Sequence, residues 1–114
     1  MRQLGAQTSV RVLVAKAQRR GRAVRVVPGG VDKHTSLVAF AEALDLPSWF
    51  GHNLDALTDA LRDLHDPEGR DIELVWDRVA ALRAGDPRWY AGILAVLGDV
   101  DADRPDLHVT VVVR

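Results

Sequence analysis

The chain has 114 residues and a formal net charge of −1, and its 47% hydrophobic and 27% charged residues are typical of a globular domain. The absence of cysteine excludes disulfide scaffolds, cysteine-ligated metals and thiol catalysis. No apolar run is long enough to span a membrane, and residues 1–8 lack the apolar segment of a secretory signal. We therefore expect a cytoplasmic protein with a single domain over residues 1–114.

The first elements in chain order are a helix and a strand. Thr8 is placed to cap a helix over about residues 9–19, although the valines in this segment equally permit a strand. Gly21 ends the segment. The valine-rich residues 23–27 predict a strand, which stops at Pro28 and the two glycines after it.

Two helices are predicted in the middle of the chain. The first begins at Thr35 or Ser36 and runs through about Ala43, with apolar residues at helical spacing and Pro47 as its end signal. The second begins after Asn53, a favourable N-cap, and runs to about Leu64. Its apolar stripe consists of Leu54, Leu57, Leu61 and Leu64.

The last third predicts two further strands and two helices. A strand over residues 72–76 is followed by a short helix that ends at Gly85. Asp86 caps a longer helix with Pro87 at its first position, and residues 108–113 form the final strand. Short apolar strands separated by helices predict an α/β fold, with a three-stranded parallel sheet packed against helices.

The second predicted helix carries an unusual acidic stripe. Asp55, Asp59 and Asp63 recur every four residues, and Asp66 extends the series. Like charges at this spacing cost a helix about 0.2–0.5 kcal/mol per pair. The stripe is therefore either a solvated face or a recognition surface that pairs with basic groups of a partner.

Two adjacent aromatic residues, Trp49 and Phe50, lie in the loop directly before this helix. Beside a fixed anionic stripe, such residues are typical of anchors in a protein interface. The alternative is that they fill the core between two helices, an interpretation that suits Phe50 in particular.

The sequence gives less support to a metal-dependent hydrolase or an RNA-binding protein. His52, Asp55 and Asp59 offer ligands for a metal-dependent hydrolase, but no catalytic motif completes such a site. The N-terminal third is basic, with eight basic residues against one acidic residue over 1–33, and its arginines at 19, 20, 22 and 25 offer contacts to RNA phosphates. No aromatic residue lies among them to stack on bases. We expect no enzyme activity, no metal, no cofactor and no direct contact with nucleic acid.

One segment, residues 46–61, resembles the central motif of the barstar family of small intracellular ribonuclease inhibitors. Its sequence is LPSWFGHNLDALTDAL, and it meets the family pattern of proline, paired aromatics, glycine, asparagine and two aspartates in order. The resemblance extends more weakly over about residues 22–114. It leaves residues 1–21 as an N-terminal extension, which longer members form as a helix.

The resemblance implies a one-to-one complex of a monomer with a basic ribonuclease, whose active site the acidic helix would occlude. Asp59 would mimic the substrate phosphate, and Asp55 would pair with a neighbouring base. Asn53 and Leu54 would contact the guanine-recognition loop. The implied partner-binding residues are Trp49, Phe50, Gly51, His52, Asn53, Leu54, Asp55, Thr58, Asp59, Asp63 and Asp99.

This chain departs from the family pattern at several of these positions. Trp49 and Phe50 lack the hydroxyls of the family's paired tyrosines, and Thr58 and Leu64 replace aromatics. His52 replaces an acid, whereas Asp63 adds a charge where smaller members have glycine. The target is therefore expected to differ from the best-known ribonuclease. A small adaptor whose acidic face binds a basic protein other than a nuclease is the alternative.

Overall fold

The computed structural model describes residues 1–47 and 50–114. Strands and helices alternate along most of the chain, and none of the described helices is long and apolar enough to cross a membrane. In chain order the elements are β1 (Arg2–Leu4), α1 (Val10–Arg19), β2 (Ala23–Pro28), α2 (Lys33–Ala43), α3 (Leu54–Asp63), β3 (Ile72–Asp77), α4 (Ala80–Gly85), α5 (Pro87–Asp103) and β4 (Leu107–Val112).

The strands form one parallel sheet in the order β1-β4-β3-β2. This confirms the predicted parallel α/β fold, but the sheet has a fourth strand where three were expected. The extra strand, β1, has only three residues and pairs with β4 from Arg2 opposite Thr110 to Leu4 opposite Val112. Its sequence carries no apolar alternation, so only the exposed edge of β4 defines it as a strand.

The main core lies between one face of the sheet and helices α2, α3, α4 and α5. Because side chains alternate along a strand, Ile72, Leu74 and Trp76 of β3 all point into this core. Trp76 is fully buried and stacks on Tyr90 of α5, with ring centroids 5.4 Å apart. This packing fixes α5 against the sheet, and α3 packs in turn on α5.

The opposite face of the sheet is also buried, although it carries polar groups. Glu73, Val75 and Asp77 of β3 alternate with the core residues and are each 5% exposed or less. The segment before β2 contributes α1, which contacts β2 and buries Ala17. Residues 10–19 are therefore a helix, and the strand alternative for this segment is wrong.

Two predicted helix starts need correction. The cap of α1 is Ser9, whose hydroxyl accepts a hydrogen bond from the Val12 amide, rather than Thr8. α2 begins earlier than predicted because Asp32 caps it and accepts from the Thr35 amide at 2.8 Å. A reciprocal contact from the Thr35 side chain to the Asp32 amide completes a capping box, so Thr35 is the third helical residue and not the cap. The predicted caps Asn53 and Asp86 are confirmed.

The two glycines after β2, Gly29 and Gly30, allow backbone segments to pack closely against each other. A Cβ on Gly29 would lie 2.5 Å from the Arg78 carbonyl oxygen, and one on Gly30 would lie 2.7 Å from the Ser36 amide nitrogen. Gly30 also has a φ of 72°, which L side chains rarely adopt. The loop therefore brings the end of β2 directly against the start of α4 and of α2.

Candidate functional site

Residues 50–53 lead into α3, which begins at Leu54. Phe50 is only 5% exposed and belongs to the main core, which supports the packing interpretation for this residue. His52 is exposed, has a φ of 49° and lies with its ring centroid 5.0 Å from that of Phe50. Gly51 is exposed beside it, whereas Trp49, the other predicted aromatic anchor, lies outside the described residues.

Asn53 holds the start of α3. Its Oδ1 accepts a hydrogen bond from the Ala56 amide at 2.8 Å, and its Nδ2 donates to the Gly51 carbonyl at 3.2 Å. Both ends of the amide are therefore engaged with backbone, although the side chain is exposed. The first role of Asn53 is to fix the direction in which the helix leaves the loop.

The apolar stripe of α3 packs as predicted. Leu57 and Leu61 are fully buried, and Leu54 and Leu64 are half-buried against the core. Gly92 of α5 allows a close approach, because a Cβ there would meet the Cδ1 of Leu54 at 3.0 Å. α3 is thus a rigid platform on α5, and Leu54 contributes mainly to that packing.

The acidic stripe lies on the outer side of this platform. Asp55, Asp59 and Asp63 are all exposed, and none forms an ion pair or a side-chain hydrogen bond with any residue that the structure describes. Thr58, on the same helix, is half-buried and donates its hydroxyl proton to the Leu54 carbonyl at 2.9 Å. Its hydroxyl is therefore used within the helix.

The two bases closest to the stripe in sequence are both paired elsewhere. Arg62 donates to Asp103 of α5 at 3.3 Å. Arg70 forms a two-pronged pair with Asp66, with Nε–Oδ2 at 2.9 Å and Nη2–Oδ1 at 3.1 Å. The negative charge of the stripe is consequently left without local compensation, as a surface for a cationic partner requires.

Asp66 does not extend the stripe, contrary to the sequence interpretation. Its side chain is buried, and its Oδ2 also accepts hydrogen bonds from the backbone amides of Glu68 and Arg70. The Arg70 guanidinium, together with these amides, lowers the pKa of Asp66 to about 2. This carboxylate closes the turn between α3 and β3 and is not available to a partner.

Arg104 is a supporting residue that the sequence interpretation missed. Its Nη1 donates to the carbonyl of Leu61 at 2.7 Å, at the C-terminal end of α3. A cation at this end satisfies a free carbonyl and interacts favourably with the helix dipole. Because Leu61 and Arg104 are 43 residues apart, no local sequence pattern signals the contact.

Asp99, the predicted peripheral acid, is exposed on α5, the helix against which α3 packs. It forms no ion pair within the described part of the chain. The structure thus places it on a neighbouring element, one turn before the Asp103 that binds Arg62.

An apolar groove of about 470 Å³ runs along α3 beside two of the three aspartates. Leu44, Leu46 and Pro47 lie along its lining, with Phe50 and Leu64. Asp59 and Asp63 lie at its border together with His65. An apolar hollow bordered by carboxylates suits a cationic side chain with a long aliphatic or aromatic body.

The structure does not assemble a metal site from these residues. Among residues 1–47 and 50–114, no three side chains of histidine, cysteine or acidic type come together in an arrangement that holds a metal ion. His52, Asp55 and Asp59 therefore do not form the ligand group that the metal-dependent hydrolase alternative requires.

Comparison with known proteins identifies the family of the chain. A search of curated proteins found no match. A family model described as Barstar (barnase inhibitor) matches residues 23–113, from the first residue of β2 to the residue after β4. The matched segment includes α3, its preceding loop, and α5. Since the match covers most of the sequence, the chain belongs to the Barstar (barnase inhibitor) family.

Proposed function

We propose that this chain inhibits a basic ribonuclease by placing α3 in the active site of the enzyme. The observation that carries the proposal is the exposed row of Asp55, Asp59 and Asp63 on a rigid helix, with the neighbouring bases Arg62 and Arg70 paired elsewhere. The family match to an inhibitor of this kind supports the same function.

The carboxylates act as substitutes for substrate phosphate. A ribonuclease active site holds its substrate with lysine or arginine side chains, and a carboxylate accepts the same charge-assisted hydrogen bonds as a phosphate oxygen. Asp59, at the centre of the row and at the border of the apolar groove, binds the central cationic cluster. Asp55 and Asp63 pair with bases on either side, and Asp99 contacts the rim from α5.

The loop before α3 provides the remaining contacts. Trp49 packs against the enzyme, and the exposed Gly51, His52 and Asn53 contact its substrate-recognition loop. The side chains of Phe50, Leu54 and Thr58 are wholly or partly buried, so these residues support the binding surface by packing beneath it. The complex is one-to-one, and the inhibitor has no catalytic activity of its own.

The role follows from this mechanism. An inhibitor that covers the active site protects the cell that makes the nuclease, so the protein acts as a cytoplasmic immunity protein or antitoxin. It needs no metal or cofactor, because shape and charge complementarity perform the inhibition.

The test is a titration of this protein against basic ribonucleases, with cleavage of a fluorogenic RNA as the readout. A cognate enzyme should be inhibited to completion at one equivalent. Asp59→Asn should weaken inhibition by at least ~10-fold, because a hydrogen bond to a charged group contributes about 1.5–3 kcal/mol. Glu42→Gln is the matched control, since it removes one exposed charge from α2.

Two results would contradict the proposal. If Asp59→Asn and Glu42→Gln inhibit equally, α3 does not enter the active site. If no basic ribonuclease is inhibited and the chain captures a basic protein without nuclease activity, the adaptor function is correct instead. Inhibition should also weaken as salt rises, because the stripe attracts its partner through solvent-exposed charge.

A further inference from the structure

A second candidate site lies at the amino-terminal edge of the sheet, away from the loop that precedes α3. It is a pocket of about 380 Å³ that brings together four arginines, Arg2, Arg20, Arg22 and Arg104. Two carboxylates, Glu73 and Asp101, also line it. We call this site the basic pocket.

The floor of the basic pocket is a buried carboxylate held between two guanidinium groups. Glu73 is 2% exposed, and its Oε2 accepts a hydrogen bond from Arg22 at 2.9 Å. Its Oε1 lies 3.4 Å from Nη2 of Arg2 and 3.3 Å from the hydroxyl of the buried Thr110. One negative charge thus contacts two positive charges, which leaves the three groups with a net positive charge.

Of the other two arginines, Arg20 adds to this excess. Arg20 is exposed at the C-cap of α1, lines the pocket, and forms no ion pair with any described residue. Arg104 is only 15% exposed in its side chain, and its charge is balanced by Asp106, with Nη2–Oδ2 at 2.8 Å, so it forms part of the pocket wall without adding free charge. A concave surface with more guanidinium than carboxylate groups is suited to an anion of more than one charge.

The residues of the basic pocket come partly from a different segment of the chain than the residues of the inhibitor surface. Arg2, Arg20 and Arg22 precede residue 23, where the family match begins, whereas Glu73, Thr110 and Arg104 lie within the match. The pocket exists only because the N-terminal segment folds onto the edge of the matched domain. Packing of α3 does not require the three N-terminal arginines.

We propose that the basic pocket binds a small ligand with a diphosphate group, either inorganic pyrophosphate or a nucleoside diphosphate. The planar guanidinium fork matches the oxygens of a phosphate, and the guanidinium groups of Arg2, Arg20 and Arg22 line the same pocket. Two linked phosphates supply enough charge to overcome the repulsion from Glu73. The volume lies within the range of pockets that hold small organic ligands.

The proposal is tested by calorimetry with the full chain, at constant ionic strength, using pyrophosphate and ADP in separate titrations. We expect saturable binding of one equivalent. Arg20→Gln should weaken it about 5- to 10-fold, because one charge-assisted contact is lost. Arg83→Gln is the matched control, since Arg83 is an exposed arginine of α4 that does not line the pocket.

A second variant should change the affinity for pyrophosphate in the opposite direction. Glu73→Gln removes the floor carboxylate while keeping its shape, so it should strengthen pyrophosphate binding several-fold if the variant remains folded by circular dichroism. Equal affinities for pyrophosphate and ADP would show that the diphosphate alone is recognised, and tighter binding of ADP would show that the nucleoside contributes as well.

The proposal is overturned if neither ligand binds saturably, or if Arg20→Gln and Arg83→Gln weaken binding equally. It is also overturned if single-stranded RNA binds and excess pyrophosphate does not displace it, since the arginines would then form an open RNA surface. None of these measurements involves a nuclease, so the outcome is independent of the proposed inhibitor function.

Discussion

Replacing Asp59 with asparagine should stabilise the free protein, although the same change is expected to weaken inhibition. Asp55 and Asp63 lie one turn away on either side of Asp59, and all three side chains are exposed. Each like-charge pair at this spacing costs about 0.2–0.5 kcal/mol. Since Asp59 belongs to two such pairs, Asp59→Asn should raise the free energy of unfolding by ~0.4–1 kcal/mol.

Two features of the structure support a gain of this size. Arg62 offers Asp59 little compensation, because its guanidinium is engaged by Asp103 of α5. Asparagine and aspartate have similar helix propensities, so the change acts mainly on charge. The gain should shrink in 0.5 M salt, which screens interactions between exposed charges.

Asp55→Asn is the control within the same helix. It relieves one like-charge pair, but it also removes a carboxylate from the first turn of α3, where the helix dipole favours negative charge by about 0.3–1 kcal/mol. The two effects oppose each other. We therefore expect Asp55→Asn to leave the free energy of unfolding unchanged or to lower it.

Urea unfolding followed by circular dichroism measures both variants, with stability taken from the midpoint and slope of the transition. The electrostatic reasoning is refuted if Asp59→Asn lowers the free energy of unfolding. It is refuted equally if Asp55→Asn gains as much, because the position of Asp59 between two acids would then be irrelevant. A confirmed gain would mean that the acidic row is maintained at the expense of stability, as expected for a binding surface.

Three further predictions concern the scaffold. The Arg70 guanidinium lowers the pKa of Asp66 from 3.8 to about 2, so the stability that this pair contributes is complete above about pH 5 and is lost as the pH falls through about 2. Asp66→Asn should therefore reduce the loss of stability between pH 5 and pH 2.5 in acid titrations, and an unchanged profile would contradict the pairing. Gly29→Ala should lower the free energy of unfolding by ~1–3 kcal/mol, since the new Cβ would lie 2.5 Å from the Arg78 carbonyl oxygen. Gly5→Ala is the control: a Cβ there would have nothing within 4 Å, so the free energy of unfolding should change by less than ~0.5 kcal/mol. Arg114→Gln should lower the free energy of unfolding in urea by ~1–3 kcal/mol, because the buried Asp77 loses the two hydrogen bonds from Arg114 at 2.8 and 2.9 Å. If Arg83→Gln lowers the free energy of unfolding by as much, the Arg114–Asp77 pair does not stabilise the fold.

The sequence alone determined the elements that depend on local patterns. Helical spacing of Leu57 and Leu61 placed one face of α3 in the core, and Asn53 and Asp86 marked the starts of α3 and α5. These predictions succeed because amphipathic periodicity and capping act over three or four residues. The exposed row of Asp55, Asp59 and Asp63 follows from the same periodicity.

The start of α2 shows where local patterns fail. Asp32, Thr35 and Ser36 are all suitable caps, so the sequence does not distinguish among them. The fold decides for Asp32, because Ser36 is buried and donates its hydroxyl proton to the Gly29 carbonyl at 2.9 Å. The β2–α2 loop thus fixes the helix start through a contact outside the helix.

Only the tertiary structure decided which charges remain free. Asp59 and Asp66 look alike in sequence, yet one is exposed and the other is buried with Arg70. β1 exists because β4 offers it an open edge, and Arg104 caps α3 from a distant turn. Every charged residue contributes equally to the composition. Whether a charged side chain is free to bind a partner depends on the residues that distant segments place beside it. The net charge of −1 therefore conceals an acidic surface on α3 and a basic pocket that the N-terminal segment completes.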